Sequence, residues 1–565
     1  MNRIHDRRFL ELAEALEEGR ISRATFVRRA LAAGFALSLI GQVTDARAAL
    51  RGPRVQSAAE RRQAAQATIV IAGADTPPSL DHAFQTEFSA QQAFQNVYAT
   101  PLMWRMRPYT QDSKILVPNF KSEPAPWLVR DWEISKDHRS ITFSLRKGVK
   151  SEHGNELTAD DVVWSFKRDV ATKGVSGGFI YPVVGFPADG VDKLDKYTVR
   201  YHSKKTSPIL MPIFANMYTY WWDSTEAKKH ATKDDPWAEK WLTTSSSGFG
   251  PYKVTQWQPG TQVVFDRNPN YPYPVKNGRI VYKAIPNSSS RLALLVGGGV
   301  DVAENLAARD REQARKTQNV SVHDFPSNWQ QMIEMNAKRK PFDNKLVRQA
   351  LAWATPYEDI LSAVYRGHAL QMTSPIPFIY PGSKKQRPYS YNPEKAKALL
   401  KQAGLPNGFR TTLSFDAART EQEQISILMQ SALAKVGVRV DLAKVPSSTF
   451  SDLQTKRKLD FFFWQDMPIQ PDPGYALFLY YYGPAFTTYS NYNNPRVNRL
   501  IEVATGTPDG PKRTAALDEA QRLIWDDCPH LWLAWPGWHY ATRSNVSGAN
   551  WNPANETRWE LMAKA

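Results

Sequence analysis

Segments typical of strands alternate with segments typical of helices through both halves of this chain, and this alternation limits the fold more than any other feature. Ala67–Gly73 and Ser140–Val149 have the period-two apolar pattern of half-buried strands. After the second of these strands, a helical pattern brings Val163, Phe166 and Val170 to one face. Because the alternation continues without an internal repeat over 565 residues, the sequence predicts an α/β protein with two lobes.

Capping and turn residues mark the ends of several predicted elements. Asn392, followed by Pro393, predicts a helix start, and Gly404 predicts the end of that helix. Pro259-Gly260 separates two β-rich runs and predicts a hairpin. The stretch Leu346–Tyr365 is predicted to form one long helix.

The first 48 residues have the organisation of a secretory signal peptide. An arginine-rich segment precedes the apolar run Ala30–Val43, and Ala46–Ala48 forms a small-x-small site, so we expect cleavage near Ala48. No cysteine lies beside this site for lipid attachment, and no later apolar run reaches the roughly 20 residues that a membrane span needs. An exported protein without an anchor stays near its cell only behind an outer membrane, so we expect a periplasmic location.

Charge and cysteine content exclude two classes of protein. The formal net charge is +17, but lysine and arginine are scattered rather than gathered in blocks, so we expect no nucleic-acid partner. Cys528 is the one cysteine, which excludes a disulfide framework. It precedes the apolar run PHLWLAW, which predicts a buried structural thiol rather than a nucleophile.

The sequence lacks the usual signatures of catalysis and metal binding. It contains no GxSxG, HExxH, P-loop or GxGxxG motif, and its ten histidines form no pair at chelating spacing. We therefore predict a protein that is not an enzyme and that holds neither a metal nor a cofactor. The 18 tryptophans, 23 tyrosines and 25 phenylalanines instead indicate an aromatic-lined cleft for an organic ligand.

The segment FFFWQDMPIQPDPGY, residues 461–475, places two carboxylates directly after the most apolar strand pattern of the chain. Asp466 follows Trp464 by two residues, whereas Asp472 lies between two prolines and is typical of a turn. A carboxylate at the end of a buried strand costs free energy unless it is solvated or paired. Asp466 therefore requires either solvent or a cationic group beside it.

Seven motifs in a constant order resemble one family of proteins. The segment PAPWLVRDWEISKDHRSITFSLRKGVKSEHGNELTADDVVWSFKR is followed by GFGPYKV, RNPNY, GGGVDVA, MNAKRKPFDNKLVRQALAWA, YNPEKAKALLKQAG and YNNPRVNRL. From about Ala67 to the C-terminus, the chain resembles the solute-binding proteins of ABC importers, in the family of the dipeptide-, oligopeptide- and nickel-binding proteins. It departs from the family at GVKSEHG, where GVKF is usual, and at PDPGY, which carries an apparent insertion.

This resemblance implies a two-lobed periplasmic binding protein fold, with an extra domain inserted in the first lobe and a ligand cleft at the hinge. By this comparison the first lobe takes residues 66–100, 248–328 and 530–565, the inserted domain takes 101–247, and the second lobe takes 329–529. The chain then crosses twice between the lobes. Ligand contacts to both lobes are expected to close the cleft.

The implied function is the capture of a short peptide or peptide-like solute in the periplasm and its delivery to an inner-membrane ABC permease with its ATPases. We expect the binding protein to be a monomer. An oligosaccharide- or opine-binding protein of the same family is the alternative. A periplasmic hydrolase of glycans or peptides is a remote alternative, supported only by the aromatic residues and the carboxylates.

The resemblance also implies roles for two charged residues. Asp466 is the nearest match to the aspartate that binds the α-ammonium group of the ligand in peptide-binding relatives. Arg419 is the closest match to the arginine that binds the far carboxylate in relatives specific for dipeptides.

Five further residues are expected at the cleft. The loop after the first strand should present Thr86, Glu87 and Phe88 to the ligand, since loops at this end of an open α/β sheet form ligand sites. If the ligand is an oligosaccharide, Trp329 and Trp464 are the expected stacking platforms.

Overall fold

The computed structural model describes residues 67–84, 88–110, 113–120, 122–386, 389–553 and 556–565, together with Leu12, Thr25, Arg29 and Ala30. The rest of the predicted signal peptide lies outside the described residues, as do Thr86 and Glu87. Within the described part of the chain, no helix combines the length and the apolar character that a membrane crossing requires. Helices and strands alternate along these residues, which confirms the α/β class.

Thr68–Gly73 lies at the centre of a seven-stranded sheet, which we call the first sheet. It runs parallel to both of its neighbours. The predicted hairpin at one edge is confirmed, and Gly260 in its turn has a φ of 72°, which favours glycine. In spatial order the strands are Tyr252–Gln258, Gln262–Arg267, Arg279–Ala284, Thr68–Gly73, Val302–Glu304, Trp538–Arg543 and Val320–Phe325.

Gln330–Met335 lies inside a six-stranded sheet, which we call the second sheet, and all six of its residues are buried. It pairs antiparallel with Phe461–Asp466 on one side and with His530–Pro536 on the other. Strands covered on both faces need apolar residues on both faces, which the runs FFFW and LWLAW supply. In spatial order the strands are Ala369–Gln371, His530–Pro536, Gln330–Met335, Phe461–Asp466, Arg410–Asp416 and Arg439–Val445.

Residues 101–247, the predicted inserted domain, contain a four-stranded antiparallel sheet. Its strands in spatial order are Val129–Ile134, Ser140–Leu145, Thr198–His202 and Val191–Asp195. Two strand pairs in the same region are Leu102–Met103 with Ala125–Pro126 and Met106–Pro108 with Leu116–Pro118. A further pair, Val546–Ser547 with Ala563–Lys564, lies in the C-terminal segment.

Helix boundaries follow the capping residues of the sequence. Asn392 accepts a hydrogen bond from the Lys395 N–H at 3.0 Å, and Gly404 beyond the helix end has a φ of 79°, so both predicted helix ends are confirmed. The described helices of eight or more residues are Phe88–Val97, Ala159–Thr172, Ser288–Val296, Ala308–Arg315, Lys345–Trp353, Pro393–Gln402, Thr420–Ala434, Ser447–Thr455, Pro473–Tyr481, Pro495–Gly506 and Pro511–Asp527.

The predicted single helix Leu346–Tyr365 is wrong. An α-helix ends at Trp353, and Pro356 precedes the short helix Tyr357–Asp359, which continues into a π-helical turn at Ile360–Val364. Proline has no N–H to donate, and it disfavours the helical conformation of the residue before it. The apolar periodicity continues across Pro356, so the pattern alone did not reveal this break.

The chain passes from the first sheet to the second between Phe325 and Gln330, and it returns between Pro536 and Trp538. Two adjacent crossings of this kind form a hinge. His530–Pro536 pairs within the second sheet, although residues 530–565 were assigned to the first lobe by resemblance. We therefore keep the division into lobes as a proposal and move its last boundary from residue 530 to Gly537.

Candidate functional site

Asp466 ends the strand Phe461–Asp466 and lies opposite Gln330, the first residue of the strand that follows the first crossing. This register brings the carboxylate to the hinge. Trp464, two residues earlier on the same face, is buried, and its ring lies 4.9 Å from that of Tyr480 and 5.0 Å from that of Tyr489. Trp464 thus supports the wall behind Asp466 through ring packing.

Asp466 lies among buried aromatic side chains and near a second buried acid, Glu334, whose pKa is raised by burial and also by the charge of Asp466. Burial raises the pKa of Asp466 to about 7, although hydrogen bonds from the Met467 backbone and the Tyr480 side chain oppose the shift. Burial and the charge of Asp466 also raise the pKa values of Tyr475 and Tyr480 well above the ordinary value, so both hydroxyls stay neutral. Asp466 forms no ion pair with any of the described residues, unlike most acids in this part of the chain.

Three consecutive residues at the first crossing carry polar atoms that lack partners within the described chain. They are the Oδ1 atom of Asn328, the indole Nε1 of Trp329 and both polar atoms of the Gln330 side chain. Buried polar groups in proteins are nearly always hydrogen-bonded. Groups left unpaired beside Asp466 therefore indicate a surface suited to a polar ligand.

Arg419 reaches the same region from the second lobe. It immediately precedes the helix Thr420–Ala434, and its guanidinium centre lies 5.8 Å from the ring centroid of Trp329. Its side chain is 45% exposed, and its nearest carboxylate, that of Asp416, is 3.9 Å away. The structure thus brings together Asp466, Trp329 and Arg419, which are far apart in the sequence.

Phe88 belongs to the second crossing. Its ring lies 4.6 Å from that of Trp538, the first residue of the returning strand. The indole Nε1 atoms of Trp535 and Trp538, on either side of this crossing, have no hydrogen-bond partner within the described chain. Phe88 therefore lies beside the second crossing, and its contact with a ligand stays a prediction.

Asp472, the second carboxylate of the opening segment, has a structural role. It caps the helix Pro473–Tyr481 by accepting a hydrogen bond from the Tyr475 N–H at 2.8 Å. Its other oxygen pairs with the buried guanidinium of Arg513 at 2.5 Å. The two acids of one loop thus differ, because Asp472 has a cationic partner and Asp466 has none among the described residues.

Residues 101–247 contact the part of the chain between residues 329 and 529, and sequence reasoning missed these contacts. The ring of Phe179 lies 5.2 Å from that of Phe486, and the ring of Phe120 lies 5.6 Å from that of Tyr380. Asn216 donates a hydrogen bond to the side chain of Gln470, four residues after Asp466. These partners lie hundreds of positions apart, so no local pattern could have identified them.

Two features of the described residues bear on catalysis and metal binding: the single cysteine and the distribution of the metal-binding residue types. Cys528 is buried, and burial raises the pKa of its thiol to about 12, in agreement with the predicted structural role. The described residues contain no group of three or more His, Cys, Asp or Glu side chains that could hold a metal ion.

Comparison with known proteins identifies the family. The model of the bacterial extracellular solute-binding proteins, family 5, matches residues 123–488, which is more than half of the chain. The chain belongs to this family. This match confirms the family resemblance that the sequence motifs indicated.

Relatives of known name are binding proteins. The chain is 29% identical over 441 residues to the probable D,D-dipeptide-binding periplasmic protein of Escherichia coli, covering 76% of this chain and 82% of that protein. It is 27% identical over 432 residues to heme-binding protein A of Haemophilus influenzae, covering 72% of this chain and 78% of that protein.

A solved structure supports the architecture. The ABC transporter-associated periplasmic binding protein of Helicobacter pylori, in complex with the peptide STSA, matches with a TM-score of 0.76 and 25% identity. The match covers 90% of this chain and all of that chain. The predicted two-lobed periplasmic binding protein fold is confirmed.

Proposed function

We propose that this protein captures a short peptide or peptide-like solute in the periplasm and delivers it to an inner-membrane ABC permease with its ATPases. Family membership supports a role in solute binding, and the names of two relatives support a peptide ligand. The protein is exported with cleavage near Ala48, acts as a monomer and leaves its ligand chemically unchanged.

The observation that carries this proposal is the unpaired carboxylate of Asp466 at the hinge. An ionised carboxylate in an apolar site is unfavourable until a cation approaches. The α-ammonium group of a peptide provides that cation at hydrogen-bond distance, and such charge-assisted bonds are among the strongest in proteins. Binding then draws the lobes together around the ligand, because the ligand contacts both.

Arg419 binds the carboxylate at the other end of the ligand. Its guanidinium is held over the ring of Trp329 and lies at the limit of ion-pair distance from Asp416, so it remains available for a second anion. Asp466 and Arg419 together provide opposite charges for the two termini of a short peptide. Tyr475 and Tyr480, which are buried in the helix Pro473–Tyr481, shield the ammonium end from water.

Native purification tests the proposal. Mass spectrometry of the ligand that co-purifies is expected to show a peptide or an amine-containing, peptide-like molecule. Calorimetry on the emptied protein is then expected to show binding of dipeptides and loss of binding after N-acetylation, which removes the ammonium charge. Equal binding of the acetylated form would refute the role of Asp466, and a chemically altered ligand would favour the hydrolase.

An opine or an oligosaccharide is the second candidate ligand. Trp329 favours it, because its ring is partly exposed and its indole Nε1 has no partner among the described residues. Trp464 offers no such platform, since Tyr480 and Tyr489 cover its ring. Recovery of an opine or of a neutral oligosaccharide from the native protein would select this candidate.

A further inference from the structure

Glu556, a buried carboxylate of the C-terminal segment, lines a cavity that is also lined by Ile469, three residues after Asp466. Glu556 is 4% exposed, and its Oε1 atom has no hydrogen-bond partner among the described residues. Asn552 is 6% exposed, and its Nδ2 atom is likewise unpartnered within the described chain. Both side chains line one cavity, together with Tyr220, Trp104 and Trp127.

Glu556 is held in place by a rigid element. The helix Phe88–Val97 fixes the adjoining residues, because Gln92 accepts a hydrogen bond from the Thr557 N–H at 3.0 Å. Asn96 of the same helix donates to the Thr557 carbonyl at 2.9 Å and accepts from the Trp559 N–H at 2.9 Å. The carboxylate is therefore positioned by the scaffold of the first lobe.

No cation of the described chain neutralises Glu556. Arg558 also lines the cavity, but its Nε donates to Glu560 at 2.6 Å and its guanidinium lies 5.3 Å from the ring centroid of Trp127. Burial raises the pKa of Glu556 well above its ordinary value, and the charge of Glu556 adds to the effect of burial on the pKa of Tyr220. The cavity thus offers one uncompensated acid among aromatic walls.

Two of the residues that line the cavity connect it to the chain segment after Asp466. Ile469 of the second lobe forms part of its lining, and Ile469 follows Asp466 by three residues. Asn216, another lining residue, holds the neighbouring Gln470 across the lobes. Separation of the lobes therefore removes one wall of the cavity, and a ligand bound at Asp466 can extend a group into it before closure.

Size and chemistry limit the group that fits. The cavity has an internal volume of about 30 Å³. Measured in the same way, a single water molecule needs ~10–15 Å³. This space suits the head group of a side chain and excludes an aromatic ring. A carboxylate that is buried without a partner is best paired by a cation, and the tryptophan walls also favour a cation.

We infer that this cavity is a second subsite of the ligand site, and that Glu556 binds a guanidinium or ammonium head group of the ligand there. The inference rests on the proposed function, because it assigns a basic side chain to the captured peptide. It adds a preference for a basic side chain. Asp466 and Arg419 cannot provide this preference, because they bind the termini that every short peptide has.

Two dipeptides that differ only in charge test the inference. L-alanyl-L-arginine and L-alanyl-L-citrulline have nearly the same shape, and the second lacks the positive charge. Wild-type protein is expected to bind the arginine dipeptide about 10- to 100-fold more tightly by calorimetry, the range for a hydrogen bond to a charged group. In Glu556→Gln this ratio should fall to about one.

Asp466→Asn provides the matched control. It should weaken both dipeptides and leave their ratio as in wild type, because the ammonium group is common to both. A ratio near one in wild-type protein, with both dipeptides bound, would overturn the subsite while leaving the proposed function intact. Circular dichroism and thermal unfolding of Glu556→Gln would verify that the variant folds.

A fragment measurement separates the subsite from the peptide hypothesis. Methylguanidinium chloride, at matched ionic strength, should raise the unfolding temperature of wild-type protein more than methylurea does, and Glu556→Gln should show no difference. If no dipeptide binds but this difference is present, the subsite stands and a dipeptide ligand is refuted. If no dipeptide binds and the difference is also absent, both are refuted.

Discussion

Replacing Asp466 with asparagine is expected to stabilise the ligand-free protein and to weaken ligand binding. Burial raises the pKa of this carboxyl from 3.8 to about 7. The folded protein therefore prefers the protonated group, and the associated stability is present below the unfolded pKa and is lost as the pH rises through about 7. Asparagine carries no charge and avoids this loss.

The difference between the unfolded and folded pKa values of Asp466 sets the size of the change in stability. At about 1.4 kcal/mol for each pKa unit, a rise from 3.8 to about 7 corresponds to at most about 4 kcal/mol above pH 8. Because the side chain keeps partial access to solvent, we expect Asp466→Asn to gain about 2 kcal/mol near pH 8 and nothing near pH 4. The same change should lose about 2–5 kcal/mol of affinity for an amine ligand.

Urea unfolding of the ligand-free protein at both pH values, with calorimetry of the native ligand, measures these effects. Asp472→Asn is the matched control from the same loop. It removes a carboxylate that is already paired with Arg513, so it should destabilise the protein. An Asp466→Asn variant that is less stable than wild type near pH 8, or that binds the native ligand normally, would refute the reasoning.

Three further outcomes are expected. Arg419→Ala should cost more affinity for dipeptides than for longer peptides by calorimetry, because only a dipeptide places its carboxylate at this guanidinium; an equal loss would remove Arg419 from the site. Phe486→Ala removes a side chain that is 58% exposed yet contacts Phe179 across the cleft, so affinity should fall by about 0.5–1.5 kcal/mol without loss of folding stability. In a double-mutant cycle with Phe179→Ala, additive losses would contradict this contact. Cys528 should resist a thiol reagent near pH 8 until the protein is denatured, because burial raises its pKa to about 12.

Local sequence patterns predicted the elements well where the determining residues are neighbours in the chain. Asn392 and Gly404 mark the two ends of their helix. Both were predictable, because a capping side chain and a left-handed glycine act on residues within one helical turn of themselves. The prediction of one helix over Leu346–Tyr365 was wrong. The apolar periodicity continues across Pro356, but the helical backbone does not, because proline interrupts it. The assignment of His530–Pro536 to the first lobe failed to match the sheets, because strand pairing depends on distant partners.

The candidate site was partly visible in the sequence. An acid after an apolar strand drew attention to Asp466, and the structure brings Trp329 and Arg419 to the same hinge. Glu556 carried no signal, since it lies in a polar C-terminal segment that resembles an ordinary surface loop. Its burial depends on the helix Phe88–Val97 and on aromatic residues of the inserted domain.

The sequence by itself determined the class of this protein: alternating strand and helix patterns, their caps and turns, and an ordered series of motifs that identify a solute-binding family. These features are short-range, because hydrogen bonds, dihedral preferences and side-chain periodicity act over a few residues. Only the tertiary structure decided which acids have an ion-pair partner and which do not. Asp472 pairs with Arg513, whereas Asp466 and Glu556 form no ion pair within the described chain, and a charge in an apolar site is governed by the groups that the fold brings next to it.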